Sequence, residues 1–151
     1  MSGISILGAG VMGSAMTLPA AAAGHRIDLV GTHLDEHIIR SVSESRFHPG
    51  LKVTLPECVS ARPFTEFSET ISDETRLIIL GVSSAGVDWA IERLADAMQR
   101  PLPVLMVTKG MLAEAGNLHA FPATVSNRIR QKTGFAVPVM AIAGPCIAAE
   151  L

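Results

Sequence analysis

Charge is what this sequence has least of. Lys, Arg, Asp and Glu make up 17% of its 151 residues, the formal net charge is −2, and 48% of the chain is apolar. So near-neutral a balance gives no reason to expect nucleic acid or an anionic membrane as partner, since both are recognised through clustered Lys and Arg. Sparse charge among many apolar residues is instead what a parallel sheet needs when helices cover both its faces. Only two cysteines occur, Cys58 and Cys146, far apart and without the C-x-x-C or Cys/His spacing of a metal site. They read as buried thiols of a reducing compartment, and no metal is expected. No basic segment precedes the first apolar run at Ile4, so no leader is expected, and no apolar run is long enough to span a bilayer. The expected compartment is the cytoplasm. Repeats, low-complexity tracts and internal linkers are lacking too, so residues 1–151 read as one domain. The abrupt stop at Glu150-Leu151, just after a Gly-Pro, resembles a cut between domains.

What the chain does contain is alternation. Short apolar runs recur at Ile4–Leu7, Ile27–Val30, Leu77–Val82, Val104–Val107 and Val139–Ile142, as parallel strands buried on both faces require. Between them, helical periodicity covers Met12 to Ala23, Asp35 to about Arg46, Gly86 to Met98 and Pro122 to Lys132, with Pro122 tolerated in a first turn. The fold class expected is α/β, a Rossmann-type doubly wound, mainly parallel sheet with helices on both faces. Pro19 falls inside the first helix and should kink or loosen it. The proline-punctuated stretch Phe47 to Pro56 reads either as a surface loop or as an insertion near a bound ligand.

The first strand runs directly into Gly8-Ala9-Gly10-Val11-Met12-Gly13, and a helix follows. Strand, G-x-G-x-x-G and helix in that order form the dinucleotide-binding fingerprint. Gly8 permits the tight turn, Gly10 lets backbone approach a pyrophosphate, and Gly13 lets helix and strand pack closely. The helix N-terminus then presents amides to the phosphates.

An NAD-selective site usually carries Asp or Glu at the end of the second strand, bonded to the ribose 2′-hydroxyl. Here that position is Gly31, followed by Thr32 and His33, which could bond a 2′-phosphate. Asp28 lies inside the strand and Asp35-Glu36 lie too far along, so NADPH is favoured over NADH. Ligands in such sheets bind at the carboxyl ends of the strands. Those ends offer Val82-Ser83-Ser84, small enough to lie against a nicotinamide, then Thr108-Lys109-Gly110 and Ala143-Gly144-Pro145-Cys146. Lys109 alone among the lysines follows a buried strand directly; it could hold a phosphate or polarise a carbonyl as a point charge. Cys146 has no His or Asn context for a nucleophile and reads as a pocket wall.

Taken in order, these segments resemble the N-terminal domain of the NAD(P)-dependent glycerol-3-phosphate dehydrogenases. The likeness is carried by Gly8 to Gly13, by Phe47-His48-Pro49-Gly50-Leu51-Lys52 ahead of Leu55-Pro56, by Thr108-Lys109-Gly110, and by Gly144-Pro145-Cys146-Ile147-Ala148-Ala149-Glu150. It implies reversible hydride transfer between the nicotinamide and dihydroxyacetone phosphate, giving sn-glycerol 3-phosphate, with phospholipid synthesis or redox balance as its use. It implies that Lys109 contacts both substrate and cofactor, and that Gly144 and Cys146 line the substrate site. It also implies that Ala148 borders the cofactor, that Val11 and Met12 lie along the pyrophosphate, and that His33 reaches the adenosine ribose or its phosphate. The family's acid/base lysine belongs to a helical second domain with no counterpart here. The chain is therefore expected to bind cofactor and turn over little, and a homodimer of the full-length protein stays open. Met12 replaces a usual aromatic, Cys146 a usual serine, and a usual proline is missing near Val82-Ser83-Ser84. Two other readings remain at this point: a related two-domain dehydrogenase acting on a 2-oxo acid, an opine or a 3-hydroxyacyl substrate, and a nucleotide-sensing module without catalysis.

Overall fold

In the computed structural model, which describes residues 2–114 and 116–142, the expected alternation of strand and helix is present from the start. β1 (Gly3–Leu7) enters the glycine turn; α1 (Val11–Ala15), α2 (Thr17–Ala22) and β2 (Arg26–Val30) follow. α3 (Glu36–Ser45) leads into a small hairpin of β3 (Phe47–His48) and β4 (Val53–Thr54), then β5 (Val59–Arg62). A 3-10 helix at Phe64–Thr70 precedes β6 (Thr75–Leu80), and a 3-10 turn at Ser84–Gly86 opens α4 (Val87–Ala97). After β7 (Val104–Met106) come a second hairpin of β8 (Met111–Glu114) and β9 (Asn117–Ala120), α5 (Phe121–Thr133) and β10 (Val139–Ala141).

Among the described residues, six strands pair in parallel in the order β10-β7-β6-β1-β2-β5. Chain order runs outward in one direction through β2 and β5 and in the other through β6, β7 and β10. The reversal falls between β1 and β6, and a crevice opens there beyond the carboxyl ends of the strands.

Side-chain alternation divides each apolar run between two cores. Leu7, Val30, Ile78 and Leu80 face α4 and α5, where they meet Ile91, Leu94, Val125 and Ile129. Ile4, Ile6, Ile27, Leu29 and Ile79 face the other way, with Ala20 of α2 and with Ile38, Ile39 and Val42 of α3. Burying a side chain of this size contributes about 1.5–3 kcal/mol each, so both helical layers are held by the sheet rather than by their own propensity.

Several segments depart from the sequence reading, among them three around the glycine turn and β2. The single helix expected from Met12 to Ala23 is broken at Met16. Pro19 has no N–H for the Ala15 carbonyl, and the flanking bonds stretch, to 3.3 Å from Met16 to Met12 and 3.4 Å from Ala20 to Met16. β5 was not expected at all: Val59-Ser60-Ala61-Arg62 has no apolar run and becomes a strand because β2 supplies a pairing edge. The segment 47–56 is a hairpin rather than an irregular loop. It is closed by Lys52 N–H to the His48 carbonyl at 2.8 Å and anchored by Leu55, which is buried in the second core.

Candidate cofactor site

The glycine turn sits at the reversal point. Gly8 takes a φ of +111°, and a Cβ there would stand 2.6 Å from the carbonyl carbon of Gly81 at the end of β6. A Cβ on Gly13 would stand 2.1 Å from the Gly8 carbonyl oxygen. The first and third glycines thus bring β1, α1 and β6 into backbone contact, and they serve the site from behind rather than by lining it. Gly10 behaves differently: with φ −65° and ψ 174° it caps α1, and a Cβ there would meet no atom of the described residues within 4 Å. The second glycine of the fingerprint opens onto empty space.

Two cavities flank that glycine. One, of about 410 Å³, is walled by Thr32, His33, Leu34 and Asp35 from the turn after β2, by Ala85 of the 3-10 turn and by Trp89 from the start of α4. The other, of about 280 Å³, is walled by Val11 and Met12 of α1 and by Val107, Thr108 and Lys109 after β7. Gly10, Gly81, Val82 and Ser83 belong to both. The result is one groove with a glycine crest at its middle, which is the shape a molecule with two bulky ends and a phosphate centre requires. Thr108 is buried and its hydroxyl donates to the Val82 carbonyl at 2.7 Å, tying the loops after β6 and β7 together directly before Lys109. In the first cavity the His33 ring stands edge-on to Trp89, centroids 6.0 Å apart, and Trp89 meets Phe64 in the same way.

Asp35 corrects the sequence reading. Its distance along the chain seemed to exclude it, yet the turn after β2 folds it back into the first cavity. Its Oδ2 accepts from the Ala9 N–H at 3.1 Å, the Thr32 N–H at 2.8 Å and the Thr32 hydroxyl at 2.8 Å. Thr32 is therefore placed at the wall, but its hydroxyl proton is directed to Asp35, and its oxygen also accepts from the Leu34 N–H at 3.2 Å. Of the pair expected to meet a 2′-phosphate, His33 is the one whose side chain stands exposed at the cavity. The position of Gly31 has its own packing reason: a Cβ there would lie 2.5 Å from Cγ1 of Ile39, so α3 leaves no room for an acidic side chain. Asp35 lies about 20 residues beyond the fingerprint, a spacing that could have flagged it. Trp89 carried no spacing signal.

The hairpin after α3 reaches the same turn. His48 is fully buried and bonds the Ala9 carbonyl, while a Cβ on Gly50 would come within 3.0 Å of the Val11 side chain. Of the expected site residues, Gly10, Val11, Met12, Thr32, His33, Ser83 and Lys109 line the groove, and Gly8 and Gly13 back it. Gly144, Cys146 and Ala148 lie outside the described residues. Among the described residues no cluster of His, Cys, Asp or Glu is arranged to hold a metal ion, and no helix is long and apolar enough to cross a membrane.

Residues 3–151 match the model of the NAD-dependent glycerol-3-phosphate dehydrogenase N-terminus. An NADP(+)-dependent glycerol-3-phosphate dehydrogenase of Archaeoglobus fulgidus is 31% identical over 151 residues, covering 98% of this chain and 42% of its own length. A glycerol-3-phosphate dehydrogenase [NAD(P)+] of Chlamydia muridarum is 31% identical over 116 residues, 76% of this chain and 33% of its own. The crystal structure of glycerol-3-phosphate dehydrogenase from Coxiella burnetii superposes with a TM-score of 0.73 at 20% identity, over 99% of this chain and 42% of that one. The chain thus spans well under half the length of these relatives.

Proposed function

The chain belongs to the NAD-dependent glycerol-3-phosphate dehydrogenase N-terminal family, and from that premise we propose that it is the cofactor-binding part of an oxidoreductase interconverting dihydroxyacetone phosphate and sn-glycerol 3-phosphate. The observation that carries this reading is the pair of cavities meeting at Gly10, where a Cβ would project into the open groove. Gly10 would take the pyrophosphate, the cavity of His33, Asp35 and Trp89 the adenosine end, and Val11, Met12 and Ser83 the nicotinamide end. When bound, the nicotinamide supplies the hydride exchanged with C2 of the substrate. Lys109 borders the nicotinamide side, where its ammonium holds the substrate and stabilises negative charge on the carbonyl oxygen. On this reading the chain, which spans 42% of the Archaeoglobus fulgidus relative, binds cofactor and turns over little.

Within this reading the cofactor is NADPH. His33 stands at the adenosine wall, Ile39 keeps a carboxylate away from the Gly31 position, and the charge of Asp35 is offset by three donors on one oxygen. The Archaeoglobus fulgidus relative is NADP(+)-dependent by name. Titrating the chain with NADPH and with NADH, followed by nicotinamide fluorescence, tests both levels. NADPH should bind the tighter. Tighter NADH would overturn the 2′-phosphate assignment and keep the dinucleotide site; binding of neither would refute the site.

A further inference from the structure

His48 lines neither cavity, yet it grips the turn on which both depend. Its side chain is wholly buried, with 0% of the residue exposed. The Leu51 N–H donates to Nδ1 at 3.0 Å, so Nδ1 is the acceptor and the ring hydrogen resides on Nε2. Nε2–H then donates to the Ala9 carbonyl at 3.0 Å, and the Ser14 hydroxyl donates to the same oxygen at 3.0 Å. On the other side of the residue, the Ala9 N–H is held by Asp35 at 3.1 Å. The residue between the first two glycines is thus fixed by side chains from three segments: α1, the turn after β2 and the hairpin after α3.

A trans peptide points its C=O and its N–H in opposite directions, and no peptide bond among the described residues is cis. Holding the Ala9 carbonyl inward therefore turns the Gly10 N–H outward, into the groove shared by the two cavities. Among the described residues nothing accepts that N–H. Gly10 has no Cβ and would otherwise be free to rotate its peptides, so an amide of fixed direction here needs a buried clamp. From this geometry we infer that His48 is a positioning residue: through the Ala9 carbonyl it aims the Gly10 amide at a phosphate oxygen of the dinucleotide. The inference rests on the dinucleotide reading above and adds to it the role of the hairpin, whose buried end is His48.

The test uses the ¹⁵N-labelled chain, NADPH, and adenosine 2′-monophosphate as a ligand that lacks the pyrophosphate. In the unsubstituted chain the Gly10 amide proton should move downfield as NADPH saturates. His48→Leu should abolish that displacement and weaken NADPH binding on the order of tenfold, as loss of a hydrogen bond to a charged group does, leaving adenosine 2′-monophosphate unaffected. His48→Gln, which keeps an N–H within reach of the Ala9 carbonyl, should recover most of both. Unchanged NADPH affinity in folded His48→Leu, or equal weakening of the two ligands, would overturn the assignment. Should His48→Leu fail to fold, His48→Gln and the unsubstituted chain still decide: a Gly10 amide that stays put under saturating NADPH overturns it. If the unsubstituted chain binds neither NADPH nor NADH, the failure lies in the cofactor reading and this inference falls with it.

Discussion

Gly10→Ala and Gly13→Ala are the same substitution three positions apart, and the structure gives them opposite effects on stability. Gly10 already has φ −65° and ψ 174°, a conformation any residue adopts, and its added Cβ would meet no atom of the described residues within 4 Å. The gain comes from the unfolded chain, which loses conformational freedom: about 0.4–1 kcal/mol of added stability. For a domain of this size that raises Tm by roughly 1–4 °C. At Gly13 the Cβ would stand 2.1 Å from the Gly8 carbonyl oxygen and 3.2 Å from the Gly81 Cα, with backbone on both sides and no flexible side chain to yield. The β1–α1 contact must open by roughly 1 Å, which puts the cost at or above the ~1–3 kcal/mol typical of overpacking and lowers Tm by at least about 2–12 °C. Both variants should nevertheless lose NADPH affinity by at least about tenfold: Gly10→Ala because the methyl occupies the cradle, Gly13→Ala because the turn is displaced. Thermal unfolding followed by circular dichroism and a fluorescence titration of each variant measure the two effects separately. A Gly10→Ala chain that melts below the unsubstituted one would refute the open space at Gly10, and one that binds NADPH equally well would refute the placement of the pyrophosphate there.

Other outcomes follow from the same geometry. Asp35→Asn keeps an acceptor for Ala9 and Thr32 but removes a negative charge beside the cavity of His33 and Trp89, so the ratio of NADPH to NADH affinity should rise a few-fold, measured by paired titrations. Trp89 is the only tryptophan and lines the cavity of His33 and Asp35; its emission should fall in proportion to NADPH bound, and a signal independent of ligand would place the cofactor elsewhere. Under the function proposed above, Lys109→Ala should lower the kcat/KM of an enzyme carrying this domain by orders of magnitude, measured by steady-state kinetics. Gly31→Asp should destabilise the chain by pushing on Ile39 rather than convert it to NADH, a result read from Tm together with the affinity ratio.

Much of the fold was legible because its signals are local. Short β-branched runs, a 3.6-residue period between them and a proline at the first turn of α5 each state their own structure, and each was found where expected. The helix break at Met16 was half legible, since Pro19 announces a lost hydrogen bond but not which turn gives way. β5 was not legible. Four residues of mixed polarity become a strand only when β2 offers an edge, and that is a property of the partner. The site divides along the same line. Gly10, Val11, Met12, Ser83 and Lys109 could be assigned because the glycine spacing and the strand ends place them directly.

The amino-acid sequence by itself determined the parallel α/β architecture, the position of the glycine turn and the family, since periodicity and contiguous motifs survive without coordinates. The tertiary structure alone decided what holds that turn. Asp35, His48 and Ser14 converge on Ala9 from three separate segments. Hydrogen bonds between residues as far apart as positions 9 and 48 leave no periodicity behind, because their partners are set by how the chain folds back and not by spacing along it.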